Sequence, residues 1–138
     1  MRTLGIFVIA GLAMAQGPGY HEVASTGQLM QGLVQPSTAA INTAAKESGP
    51  ADDRAWRGVM VNAIMVQESA QLLKTSGRAK DQEGWIKAAD ALGEVGAEVQ
   101  KAAQAKDVAA LQAAAGKINA TCQGCHSVYR VRGGQKKQ

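Results

Sequence analysis

Apolar positions along this chain recur at steps of three and four, the period of an α-helix, and nowhere alternate for long enough to argue a strand. Four such stretches are separated by cap and turn residues. The first runs from about Val23 to Glu47 and contains Pro36, whose missing N–H and clash with the Gly32 carbonyl predict a kink near Val34 to Gln35. Ser48-Gly49-Pro50 closes it. The second follows Asp52 or Asp53 as N-cap, places Val59, Ala63, Val66, Ala70 and Leu73 on one seam, and stops at Ser76-Gly77. The third follows Asp81 with a seam of Trp85, Ala88, Leu92, Val95, Val99 and Ala102. After Lys106-Asp107 the fourth repeats the pattern with Leu111, Ala115, Ile118, Cys122, Cys125 and Tyr129. Amphipathic helices with short connections predict an all-α fold, an antiparallel up-down-up-down four-helix bundle.

The amino terminus stands outside this pattern. Arg2, the apolar stretch Leu4 to Leu12 and the small-x-small Ala13-Met14-Ala15 read as a signal peptide, residues 1–15, cleaved after Ala15. Its apolar run is too short for the roughly 20 residues that a membrane span needs, so no stable membrane insertion is expected after cleavage. The single domain is then residues 16–138, and export predicts the periplasm in a Gram-negative host. The net charge of +4 falls to +3 without Arg2, and Arg130, Arg132, Lys136 and Lys137 account for all of it. A basic tail from about residue 132 on an otherwise near-neutral body argues against nucleic acid as a partner.

Core volume is short. Residues 16–138 hold 23 alanines, and their only aromatics are Tyr20, Trp56, Trp85 and Tyr129. Small residues such as Gly93 and Gly96 let helices approach closely, which would account for so lean a core; a large apolar guest would fill the same space.

Cys122-Gln123-Gly124-Cys125-His126 carries the chemistry. C-x-x-C-H is the attachment signature of c-type haem. Thiols three residues apart can each add to one of two vinyl groups on adjacent pyrroles, and the neighbouring histidine then lies beneath the iron as proximal ligand. Other readings fare worse. Zinc would want four ligands, and beyond these three the chain offers only His21 and carboxylates. A dithiol redox site usually comes with a βαβ pattern that is absent, and a disulfide across so short a loop within a helix would be strained. No phosphate loop, nucleophile elbow or carboxylate pair supports hydrolysis.

A four-helix bundle with C-x-x-C-H near the end of its last helix resembles the class II c-type cytochromes, the cytochrome c′ and cytochrome c-556 family. At residue level the likeness rests on Cys122, Cys125 and His126, the following Val128-Tyr129-Arg130, and Gln28-Leu29-Met30-Gln31 in the first helix. It implies one covalently attached haem c per chain. It also implies that a first-helix methionine, here Met30, supplies the distal iron ligand in six-coordinate members, whereas a bulky apolar residue crowds that side in five-coordinate ones. Met60 and Met65 are weaker candidates that core packing explains. Arg130, one turn after His126, is expected near the imidazole or a haem propionate, or else as a surface arginine at the helix end. Tyr129, Trp85 and Leu33 are expected around the haem, with Trp56 as a further wall residue; Glu68 and His21 are expected at the surface.

The function expected is that of a periplasmic mono-haem electron carrier with His126 and Met30 as axial ligands, not an enzyme, since no distal acid-base group for peroxidase chemistry is evident. Its partners would be redox proteins, and the resemblance also allows a homodimer through the first and second helices. The alternatives are a five-coordinate protein that binds nitric oxide or carbon monoxide, and a module without haem.

Overall fold

The computed structural model describes residues 21–46 and 48–130; the expected signal peptide and the basic tail beyond Arg130 lie outside the described residues. Helix α1 is continuous but changes its winding: Thr26–Leu29 is α-helical, Met30–Val34 is a π-helical turn, and Gln35–Ala44 is α-helical again. Helices α2 (Asp53–Leu73), α3 (Gly84–Ala105) and α4 (Val108–Tyr129) complete the described secondary structure, which contains no strand.

Local chemistry sets each start. Ser25 and Gln28 form a capping box, the Ser25 hydroxyl accepting from the Gln28 N–H at 3.3 Å and the Gln28 amide oxygen from the Ser25 N–H at 2.9 Å. This cap places the start of α1 at Thr26, later than Val23. Asp52, rather than Asp53, caps α2 by accepting from the Ala55 N–H at 2.8 Å, and Asp107 caps α4 from the Ala110 N–H at 3.0 Å. Ahead of α3, Asp81 accepts from the N–H groups of Glu83 and Trp85, both at 3.1 Å.

The kink expected at Pro36 takes the form of a widened turn. Proline cannot donate to the carbonyl four residues back, and its ring crowds that carbonyl. The chain answers one turn earlier, where the Gln35 N–H bonds the Met30 carbonyl in the i→i+5 pattern. A π turn holds more residues per revolution than an α turn, so Leu33 rotates away from the face that carries Met30, while Val34 stays on it and is buried.

Ion pairs mark the antiparallel order. Lys106, just past α3, bonds Asp53 at the start of α2 at 2.7 Å; Lys74, just past α2, bonds Asp90 near the start of α3 at 2.7 Å; Lys117 of α4 bonds Glu98 of α3 at 2.7 Å. All three involve exposed or half-exposed groups, and pairs of that kind contribute little stability. The expected seams are buried: Ala63, Val66, Ala70, Val99, Leu111 and Ile118 among them, with Ile41 from α1. Helix α1 packs chiefly on α2 and meets α4 more sparsely, where Asn42 and Asn119 exchange two amide hydrogen bonds of 3.1 Å.

Helices α2 and α3 come close because Gly96 has no side chain. A Cβ there would stand 2.9 Å from Gln67 Cγ, 3.2 Å from Val66 Cγ1 and 3.3 Å from the Ala63 carbonyl oxygen. Gly116, exposed on α4, has nothing within 4 Å of the same position. Gly96→Val is therefore expected to cost about 2 kcal/mol through overpacking. Gly116→Ala should instead stabilise by about 0.5–1 kcal/mol through helix propensity. Guanidinium unfolding of the two variants checks the opposite signs.

Candidate functional site

At one end of the bundle the start of α1, the end of α2, the start of α3 and the end of α4 surround an open cleft. Met30 and Val34 come from α1, Leu73 from α2, Trp85, Ala88, Ala89 and Leu92 from α3, and Thr121, Cys122, Cys125 and His126 from α4. Antiparallel order makes this convergence unavoidable, since the Met30 and His126 ends of the chain are thereby brought to the same pole. The lining of the cleft is apolar apart from the α4 cluster.

Both cysteines are free and half-buried. Burial pushes each thiol above its ordinary value of 9.0, with the neighbouring Cys122 adding to the rise at Cys125. His126 is exposed, and among the described residues its imidazole makes no hydrogen bond or ion pair. Two protonated thiols and an unpartnered imidazole beside an apolar cleft fit the donor set of c-type haem attachment. They do not fit zinc: no group of three or more His, Cys, Asp or Glu able to hold a metal ion exists among the described residues.

The other expected site residues divide. Trp85, 5 % exposed, lines the cleft; its indole Nε1–H donates to the Leu73 carbonyl at 2.6 Å. Tyr129 is half-buried and stands behind that wall, its ring edge-on to Trp85 with centroids 5.1 Å apart and an interplanar angle of 79°. Leu33 does not line the cleft; it packs half-buried against the core, and the π turn puts Val34 in its place. Trp56 is a correction as well. It is buried near the start of α2, whereas the cleft takes Leu73 from the other end, about 25 Å along the helix. Arg130 is exposed at the C-cap of α4, where its backbone N–H bonds the His126 carbonyl at 3.2 Å. Met60 and Met65 are half-buried outside the cleft, and Glu68 and His21 are exposed.

Two anchors at this pole escaped the sequence reading. Arg78, 2 % exposed, donates from Nη2 to the Ala24 carbonyl at 2.7 Å, and from Nη1 to the Leu72 carbonyl and the Thr75 hydroxyl, both at 3.2 Å. Its guanidinium lies 3.7 Å from the Glu22 carboxylate, which also accepts from the Thr75 hydroxyl. Nothing in a lone arginine between two helices signals burial. The second anchor is Asp81, which accepts from the Tyr129 hydroxyl at 2.6 Å as well as from the start of α3.

Four helices thus gather two thiols and an imidazole at an apolar cleft. A family model described as Cytochrome C' matches residues 67–130, from the middle of α2 to the end of the described chain. That match supports the class II c-type cytochrome family for this chain, a family that binds haem c. Met30 and Val34 fall outside the matched span. No curated protein and no solved structure matches the chain.

The Tyr129–Asp81 bond has a pH signature. It pushes the Tyr129 phenol up to about 12 from its ordinary 10.0. It is also the largest of the causes that hold the Asp81 carboxyl below its ordinary 3.8, ahead of the Trp85 N–H. Asp81 is lowered, so its contribution is present above the ordinary value and fades as acid protonates it. Tyr129 is raised, so its contribution is complete below pH 10 and fades as pH climbs toward 12. The difference in Tm between wild type and Tyr129→Phe should therefore be level from about pH 4 to pH 10 and shrink on both sides. Thermal melts across that range check it, and a difference that stays constant at pH 11 would contradict it.

Proposed function

We propose that this chain is a periplasmic, mono-haem electron carrier with His126 and Met30 as the two axial ligands. The observation that carries the reading is the convergence of Met30 with Cys122, Cys125 and His126 on one cleft, from opposite ends of the chain. Family match and fold support haem c; the assignment of roles is the geometry's own.

Cys122 and Cys125 would hold the cofactor. Each would do so through a thioether, its thiol sulfur bonding one carbon of a vinyl group and its hydrogen going to the other. Their raised thiol values keep both sulfurs protonated at neutral pH until that addition. His126, on α4, and Met30, on α1, would hold the iron through an imidazole nitrogen and a thioether sulfur. Bound haem iron would supply a one-electron couple, and soft thioether ligation favours its ferrous state and raises the potential.

The remaining residues exclude water and competing chemistry. Val34, Leu73, Ala89, Leu92 and Trp85 are all buried and offer no acid or base. A wall of that kind would keep the dielectric low around a bound haem and itself offers no acid–base group. It suits a carrier whose ligands stay in place between oxidation states. The carrier's partners would be other redox proteins. Export through the segment 1–15 places it where c-type attachment occurs in bacteria.

A haem stain after boiling in denaturant should colour the natively matured protein and leave Cys122→Ala/Cys125→Ala unstained. Ferric wild type should be low-spin by absorption and electron paramagnetic resonance, and Met30→Ala should turn it high-spin with a lower reduction potential. High-spin ferric wild type that binds carbon monoxide readily once reduced would overturn His/Met ligation and assign the gas-binding alternative. The double cysteine variant should also lose its cooperative thermal transition, since the uncovered cleft leaves apolar walls without contacts.

A further inference from the structure

Helix α4 reaches its last turn with little to hold it. Cys125 is half-buried, His126, Ser127 and Val128 are exposed, and the helix ends at Tyr129. Terminal turns fray unless something ties them down. Tyr129 lies three residues after His126 and four after Cys125, so it shares their face of the helix.

One tie at the end of α4 is made by the Tyr129 side chain. Its hydroxyl donates to Asp81 Oδ2 at 2.6 Å, while Asp81 Oδ1 accepts from the Trp85 N–H at 3.1 Å. Its ring meets Trp85 edge-on, and Trp85 is itself fixed to Leu73. The approach passes close to Gly84: a Cβ there would stand 2.4 Å from the Tyr129 hydroxyl oxygen, so the phenol would have to shift. An opening has been left at the first residue of α3 for a phenol arriving from the end of α4.

We infer that Tyr129, Asp81 and Gly84 form a latch that fixes the haem-bearing turn of α4 against the start of α3, and so sets the orientation of the His126 imidazole. Tyr129 and Asp81 are positioning residues, acting on the iron through His126 and through the Trp85 wall. The inference rests on the haem reading for its consequence at the iron, though not for the latch itself. Of the two ways to open it, one removes the hydroxyl and the other touches neither partner.

The test compares Tyr129→Phe, Gly84→Ala, Asp81→Asn and the double variant Tyr129→Phe/Gly84→Ala as natively matured protein. Amide exchange of residues 127–130 should quicken by about threefold to tenfold in Tyr129→Phe, the loss of one modest hydrogen bond. Gly84→Ala should match it, and the double variant should add nothing, because both changes open the same contact. Asparagine at position 81 keeps an acceptor for the backbone and a polar partner for the phenol, so Asp81→Asn should stay close to wild type. Ferric g-values, which report the plane of the axial imidazole, should shift together in Tyr129→Phe and Gly84→Ala and hold in Asp81→Asn. Unchanged exchange and unchanged g-values in Tyr129→Phe would overturn the latch, as would additive effects in the double variant. Colourless protein would defeat the haem reading instead, and the exchange measurements would still decide the latch.

Discussion

Unequal approach of the helices is the constraint on which the rest of this structure depends. Glycine and alanine along α2 and α3 let those two backbones close on one another, with Gly96 seated over the Ala63 carbonyl and the Val66 side chain. Packing of that intimacy needs no large side chains. At the pole where α1 begins and α4 ends, an apolar cleft opens between the four helices. Protein interiors do not tolerate such gaps without losing contact energy. The cleft there is walled by Leu73, Trp85, Leu92 and Val34. Close packing along the body and an apolar cleft at one end occur in the same lean composition.

Much of this was legible in the sequence, because helical seams and caps are local. The seams of α2 and α3 were readable residue by residue, and Asp81, Asp107 and one of the Asp52-Asp53 pair announced the helix starts. Cys122, Cys125 and His126 stood out by spacing alone, and the structure brings all three to the lining of one cleft. What was not legible was where the winding changes. Pro36 signals that a bond is missing, but not whether the chain bends or widens; it widens over Met30–Val34, and that choice exchanges Leu33 for Val34 on the cleft. Trp56 and Trp85 carry the same local signal, a tryptophan early in a helix seam. Only antiparallel order decides that one stands at the cleft and the other far from it.

The π turn also bears on the site. Winding of this kind is costly in hydrogen-bond geometry and tends to be found where function needs it. Here it begins at Met30 itself, the residue facing the α4 cluster across the cleft. Proline six residues downstream makes an unbroken α-helix unavailable through Gly32. The unusual backbone and the proposed ligand are therefore coupled by covalent chemistry.

Both sides of the cleft are secured to one short connection. Between the end of α2 and the start of α3, Thr75 and Arg78 hold Glu22 and Ala24, just ahead of the capping box that begins the Met30 helix. A few residues on, Asp81 holds Tyr129, three positions beyond His126. Burying a guanidinium is expensive, and it is offset here by carbonyl and hydroxyl acceptors together with a neighbouring carboxylate. The two helices that bring Met30 and His126 to the cleft meet only sparsely, with Asn42 and Asn119 among their direct contacts. The loop that each one grips is a second link between them. That one connection therefore bears on both Met30 and His126, which reach the cleft from α1 and α4.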